Sequence, residues 1–92
     1  MIRRRLVITG RVQNVFFRDW TVEQATSLGL DGWVRNRADG SVEAVVEGPS
    51  EMVDTLIAKA HEGSPASRVE AVDVSDDDSN ETLTGFTKRP TR

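Results

Sequence analysis

The sequence predicts an α+β domain with a mostly antiparallel sheet and two helices packed on one face of it. Two observations indicate this fold. Segments in which apolar and polar residues alternate, as in half-buried strands, are interrupted twice by segments with helical spacing. The resulting order is β-α-β-β-α-β with one further strand, the split β-α-β plan of ferredoxin-like folds. At 92 residues we expect a single domain over residues 1–92.

The first strand is predicted over residues 5–12 and follows a basic segment. Leu6, Ile8 and Val12 form one apolar face of this strand. Gly10 interrupts this strand where another backbone could approach closely. A helix is predicted over residues 17–28, with a buried stripe at helical spacing formed by Phe17, Thr21, Ala25 and Leu28. Gly29 ends this helix, since glycine adopts the left-handed conformation of a C′ residue.

A hairpin follows, with strands predicted over residues 30–36 and 41–47 and a turn at Asp39-Gly40. On its second strand Val42, Ala44 and Val46 share an apolar face. The other face carries Glu43, Val45 and Glu47, so we expect it to be partly solvated.

The last third contains a helix with Ser50 as N-cap and Gly63 at its end. A strand over residues 68–75, a polar loop over 76–80 and a last strand over 82–88 complete the order. We interpret the three aspartates at 76–78 as part of a solvated loop. His61, the only histidine, suits the negative end of the second helix better than a catalytic role.

Composition narrows the function classes. There is no cysteine, which excludes disulfides, thiolate nucleophiles and zinc-thiolate sites. A formal net charge of −3 argues against nucleic acid, whose binding needs clustered cations. No apolar run reaches the roughly 18 residues of a membrane span, and the short apolar stretch after Arg5 cannot serve as a signal peptide. We therefore expect a cytoplasmic protein that has no membrane or nucleic-acid partner, and we take a monomer as the default state.

The segment at residues 10–18, G-R-V-Q-N-V-F-F-R, predicts an anion site. It places Arg18 where a helix begins, although the positive end of the helix dipole disfavours a cation there. An anion relieves that conflict, and helix-entry N–H groups together with a guanidinium bind phosphate well. Asn36 follows Gly32-Trp33-Val34-Arg35 at a strand end, where its amide can hold a water. The alternatives are a solvated Arg18 and an Asn36 that only caps the turn.

These two blocks resemble the acylphosphatase family, and the similarity extends through D-G-S-V-E at residues 39–43 and E-G-P at 47–49 over nearly the whole chain. The resemblance implies hydrolysis of acyl phosphates without metal or cofactor. It assigns water positioning to Asn36 and phosphate binding to Arg18. It assigns the remaining phosphate contacts to the backbone amides of the preceding loop, at Val12, Gln13, Asn14, Val15, Phe16 and Phe17.

The chain departs from the family pattern in two places. Asn14 stands where the family usually has glycine, and asparagine is among the least costly replacements if the position needs positive φ. Residues 86–90 match the usual closing strand only loosely, which leaves the pairing of the last strand open.

The residue types fit this chemistry, because a mixed anhydride is already activated and needs no side-chain nucleophile. The protein has to place a water and stabilise the charge on the phosphoryl oxygens. Arg11 is either a further source of positive field or a solvated residue. We expect Trp33 to pack in the core beneath the site and Trp20 to be half-exposed.

The sequence leaves two alternative functions open. One is a non-catalytic ferredoxin-like module that binds an anion or RNA. Such an RNA-binding module would show exposed aromatic residues on its central strands, and this chain has no tyrosine and no such pair. The other is a related domain acting on carbamoyl phosphate within a larger protein, which the short chain disfavours.

Overall fold

The computed structural model describes residues 1–92 and confirms the predicted fold class. Five strands and two helices follow one another as β1 Ile2–Arg11, α1 Phe17–Ser27, β2 Asp31–Asn36, β3 Val42–Gly48, α2 Ser50–Glu62, β4 Arg68–Asp76 and β5 Phe86–Lys88. The sheet order is β4-β1-β3-β2-β5. The neighbouring strands are antiparallel except for β2 and β5, which are parallel. Neither helix has the length and apolar character required to cross a membrane.

The hydrophobic core lies between the two helices and one face of the sheet. Alternate residues of the central strands point into it, as the period of two in a strand requires. The helices contribute Phe17 and Ala25 from α1 and Val53, Leu56 and Ala60 from α2. The strands contribute Leu6, Ile8, Val34, Val42, Ala44 and Val46, together with Phe86 of β5. Trp20 is half-buried against this core, as expected.

The opposite face of the sheet narrows one prediction and corrects another. Glu43 is only 2 % exposed and Val45 is buried as well, so on this face of β3 only Glu47 is partly exposed. The Glu43 carboxylate forms ion pairs with Arg5 and Arg35, which compensate its burial. Trp33 is buried as predicted but pairs across the ladder with Val45, so it lies on this face and not beneath Asn36.

The same face is covered by cations stacked on Trp33. The guanidinium groups of Arg35 and Arg89 lie 4.5 and 4.7 Å from the centre of the Trp33 ring. Arg3 donates to the carbonyl oxygens of Ser79 and Glu81, which fixes the segment after β4 against the sheet. The face is therefore held by ion pairs and cation–π contacts, whereas the helix-covered face is held by apolar packing.

Several element boundaries differ from the predictions. β1 begins at Ile2, because Ile2 to Arg4 continue the ladder with β3. β5 contains only Phe86–Lys88, so the predicted strand over residues 82–88 was too long at its start. Asp76 ends β4 and does not open the following loop.

The start of α2 was also predicted wrongly. Pro49, with ψ of 138°, occupies the N-cap position, and Ser50 is the first helical residue without a capping hydrogen bond. The ends of both helices agree with the predictions, since Gly29 and Gly63 follow them with positive φ.

Gly10 has the close backbone approach that its position in β1 suggested. Its φ is 118°, and a Cβ atom there would lie 2.2 Å from the carbonyl oxygen of Arg68. The register of β1 against β4 shifts between Thr9 and Gly10, which marks a β-bulge. This bulge lies immediately before the loop that leads to α1.

Candidate active site

The topology brings the two sequence blocks to one edge of the sheet. β1 and β2 are each antiparallel to β3, which lies between them, so they run in the same direction. Their C-terminal ends therefore lie at the same edge. The loop after β1, residues 12–16 and called the cradle loop below, and Asn36 at the end of β2 both lie there, where α1 begins.

The backbone of the cradle loop alternates in handedness. Asn14 has φ of 61° and Phe16 has φ of 62°, and these are the only two non-glycine residues with positive φ. Alternation of this kind turns successive N–H groups toward one concave side, a nest suited to an anion. Asn14 thus stands at a position that needs the left-handed conformation, which asparagine tolerates better than most residues.

The N–H groups of this segment have no protein acceptor. From Val12 to Asp19 no backbone N–H donates to a backbone carbonyl, and the first to do so is Trp20, which donates to Phe16 at 3.0 Å. Phe16 is the N-cap of α1 and supplies no side-chain cap. The unpaired donors and the positive end of the helix dipole therefore converge at one point, as in phosphate-binding helix entries.

A cleft of about 360 Å³ opens at this edge of the sheet. That volume lies in the range of small-molecule sites. Arg18 and Asn36 both line it, together with Val12, Asn14, Phe16, Phe17 and Asp19. The Arg18 side chain is half-buried and forms no hydrogen bond or ion pair with another protein group, so its guanidinium is available to a ligand.

Asn36 lines the cleft and leaves one acceptor unpaired. The residue is 9 % exposed, and its Oδ1 is buried without a hydrogen-bond partner. Leaving such an acceptor unsatisfied costs on the order of 1–3 kcal/mol. A hydrogen bond to the amide can hold a water at the cleft, and the backbone of β2 would then fix the position of that water.

Gln13 has a side-chain contact that the sequence did not reveal. Its Nε2 donates to the carbonyl oxygens of Arg37 and Ser41, each at 2.8 Å. These two residues flank the turn that follows Asn36, and Arg37 N–H donates to Ser41 across it at 2.9 Å. The Gln13 amide therefore ties the cradle loop to the hairpin that carries Asn36.

Asp19 is a second residue that the sequence analysis did not assign to the site. It lines the cleft beside Arg18, and its Oδ1 lies 2.5 Å from Nζ of Lys88 on β5. An acidic residue in the first turn of a helix is a recognisable signal, since it complements the dipole. Its pairing with Lys88 depends on the position of β5, which no local pattern predicts.

The predicted phosphate-binding residues do not all contribute to the cleft surface. Gln13 and Val15 are absent from its lining, whereas Val12, Asn14, Phe16 and Phe17 are present. Arg11 is exposed and lies outside the lining as well. No three His, Cys, Asp or Glu side chains lie close enough together to hold a metal ion.

Comparison with known proteins gives consistent findings. The family model for acylphosphatase matches residues 4–88. An acylphosphatase of Rhizorhabdus wittichii is 59 % identical over 90 residues, which are 98 % of this chain and 90 % of that protein. One from Rubrobacter xylanophilus is 51 % identical over 87 residues, 95 % of this chain and 79 % of that protein. The crystal structure of acylphosphatase from Bacillus subtilis superposes with a TM-score of 0.91 at 36 % identity, covering 97 % of this chain and 99 % of that one.

Proposed function

This chain belongs to the acylphosphatase family, and from that premise we propose that it hydrolyses acyl phosphates to a carboxylate and inorganic phosphate. One observation carries the proposal. A single cleft combines unpaired N–H groups and a free guanidinium, which suit a phosphate, with the side-chain amide of Asn36, which suits a water. Phosphate binding and water positioning are the two tasks that this reaction requires.

In this proposal the phosphoryl oxygens of the substrate bind in the cradle loop. The N–H groups of the loop and of the first turn of α1 donate to them, and Arg18 adds two parallel donors from its guanidinium fork. These donors also stabilise the charge that spreads over the phosphoryl oxygens in the transition state. Because Arg18 has no protein partner, no ion pair has to break before substrate binds.

The attacking water is held by a hydrogen bond to the side-chain amide of Asn36 and keeps both of its protons until it attacks. Its oxygen forms a bond to phosphorus while the bond from phosphorus to the acyl oxygen breaks, and the electron pair leaves with the carboxylate. One proton of the water passes to a phosphoryl oxygen. A carboxylate whose conjugate acid has a pKa of about 4 needs no general acid to depart, which agrees with a cleft that contains no histidine.

We also propose that the enzyme needs no metal or cofactor and that residues 1–92 act as one domain. We further propose that it works as a cytoplasmic monomer, without nucleic-acid or membrane partners. The basic start of the chain supports the absence of nucleic-acid and membrane partners. Arg3, Arg4 and Arg5 are paired with Glu47, Asp76 and Glu43, respectively. These cations are neutralised within the fold and do not form a free patch for polyanions or anionic lipid.

The test is the hydrolysis of benzoyl phosphate by the purified protein with EDTA present throughout. We expect stoichiometric release of benzoate and inorganic phosphate, no increase on adding magnesium, and competitive inhibition by phosphate. Phosphate binding without turnover would support a non-catalytic anion-binding module instead. A rate that vanishes with EDTA and returns with a divalent ion would overturn the metal-free mechanism.

A further inference from the structure

The side chain of Phe16 is exposed at the mouth of the cleft. It is 80 % exposed, and the only other exposed large hydrophobic residues are Met1 at the chain end and Val74 on β4. A phenylalanine is ordinarily buried in a domain of this kind. Two aromatic residues line the cleft, and of these only Phe16 is exposed to solvent.

The backbone of the cradle loop does not require an aromatic side chain at this position. Phe16 adopts the left-handed conformation, with φ of 62°, which a bulky side chain disfavours and glycine or asparagine would accept more easily. Its neighbour Phe17 is 1 % exposed and supplies the core contact at this end of α1. The Phe16 ring therefore serves neither the loop conformation nor the core.

The charges around the cleft point to an uncharged ligand group beyond the phosphate. Arg18 is the free cation of the cleft and is suited to the phosphate end. The other charged residue of the lining is Asp19, which forms an ion pair with Lys88. Apart from Arg18, the cleft lining therefore has no free cation that would favour a second negative charge on the acyl group.

Building on the proposed function, we propose that Phe16 is a specificity-determining residue that contacts the acyl group and selects uncharged apolar acyl phosphates, aromatic ones above all. The N–H of Phe16 belongs to the phosphate cradle, so its ring stands beside any group bonded to the bound phosphate. Offset stacking against an aromatic acyl group removes apolar surface of both partners from water. An acetyl group offers much less apolar surface to this contact.

The test compares kcat/KM for benzoyl phosphate with kcat/KM for acetyl phosphate in three proteins. They are the parent, Phe16→Asn, which keeps a residue tolerant of positive φ, and Phe16→Trp, which keeps an aromatic ring. We expect the benzoyl-to-acetyl ratio to fall at least about 5-fold in Phe16→Asn and to stay within about 2-fold in Phe16→Trp, since hydrophobic contacts discriminate by about 10-fold or more. Intrinsic reactivity cancels when the ratios of two proteins are compared.

Damage to the cradle loop would lower both rates together and leave the ratio unchanged, and that result would overturn the inference. A second probe, 4-carboxybenzoyl phosphate, tests the charge argument. We expect a poorer kcat/KM than for benzoyl phosphate, and we expect Asp19→Asn to narrow the difference. If the parent hydrolyses none of these compounds, the proposed function itself fails, whereas an equal ratio in all three proteins refutes only the role of Phe16.

Discussion

The cradle loop and the turn at residues 37–41 lie at the same edge of the sheet but treat their backbone donors in opposite ways. In the turn, the N–H groups of Arg37, Ala38, Gly40 and Ser41 all have protein acceptors. In the cradle loop none donates to a backbone carbonyl. Only the N–H of Asp39 lacks an acceptor in the turn, so the turn is held without a ligand, whereas the donors of the cradle loop are all left for an anion. We infer that one loop provides binding and the other provides rigidity.

Removing the guanidinium of Arg18 should have the largest effect, because this group is the only free cation of the cleft and supplements the N–H donors of the cradle loop. We expect Arg18→Ala to lower kcat/KM by at least about 10³-fold, the magnitude typical of an arginine that stabilises a transferring phosphoryl group. Arg18→Lys should recover little, because an ammonium cannot replace the bidentate fork. Phosphate should raise the thermal midpoint of the parent and not of Arg18→Ala. Retention of most of the activity in Arg18→Ala would disprove the assignment of the site.

Removing the amide of Asn36 tests the hairpin side of the cleft, where this residue directly precedes the rigid turn. We expect Asn36→Ala to lower kcat by about 10²-fold, as for the loss of one preorganised polar group. The inhibition constant of phosphate should change by less than about 3-fold, because the cradle loop is intact. A variant with full kcat and only reduced stability would show that Asn36 merely supports the turn.

The Gln13 amide is the link between the two loops. Gln13→Met keeps the length of the side chain and removes the donors to Arg37 and Ser41, so we expect kcat to fall about 10-fold through misplacement of Asn36. Each of these carbonyls keeps another donor, so we expect stability to fall by only about 1–2 kcal/mol. Gln13→Glu, which is isosteric but cannot donate, is the matched variant. Lower stability with unchanged kcat would make Gln13 structural only.

The order of elements was predictable because alternation and helical spacing are local properties of the sequence. The short β5 was not. β4 and β5 lie on opposite edges of the five-stranded sheet, about 19 Å apart at the usual strand spacing. Residues 77–85 have to cross that distance, so Thr82 to Thr84 serve the crossing and not a strand. The same crossing lies against the outer face, where Arg3 donates to the carbonyl oxygens of Ser79 and Glu81.

The two main residues of the candidate site could also be picked out from local patterns. The pattern of residue types indicated Arg18 and Asn36, and the structure brings both to one cleft. The hydrogen bonds of the Gln13 amide and the Asp19–Lys88 ion pair join segments that are distant in sequence. No periodicity or turn signal predicts such contacts, because they depend on which strands become neighbours.

A smaller effect is expected at Asn14, which tests whether the handedness of the cradle loop matters. Asn14→Gly should be tolerated and should stabilise the protein by at most about 1 kcal/mol, because glycine adopts positive φ freely. Asn14→Val should lower both the thermal midpoint and the affinity for phosphate, since a β-branched residue resists this conformation. Equal phosphate affinity in Asn14→Val and the parent would show that the loop does not depend on a left-handed residue there.

The smallest effect concerns Asp39 in the rigid turn and appears as a dependence of stability on pH. Hydrogen bonds from the Ser41 hydroxyl and the Ser41 N–H lower the pKa of Asp39 below its usual 3.8. Because the folded state favours the ionised carboxylate, its contribution is present above about pH 4 and is lost as the pH falls through the lowered pKa. Unfolding by denaturant, measured for the parent and Asp39→Ala between pH 7 and pH 3, should show the larger difference near pH 7. A difference that stays constant down to pH 3 would show that ionised Asp39 does not stabilise the turn. Because the Asp39 side chain is exposed, we also expect added salt to reduce the difference.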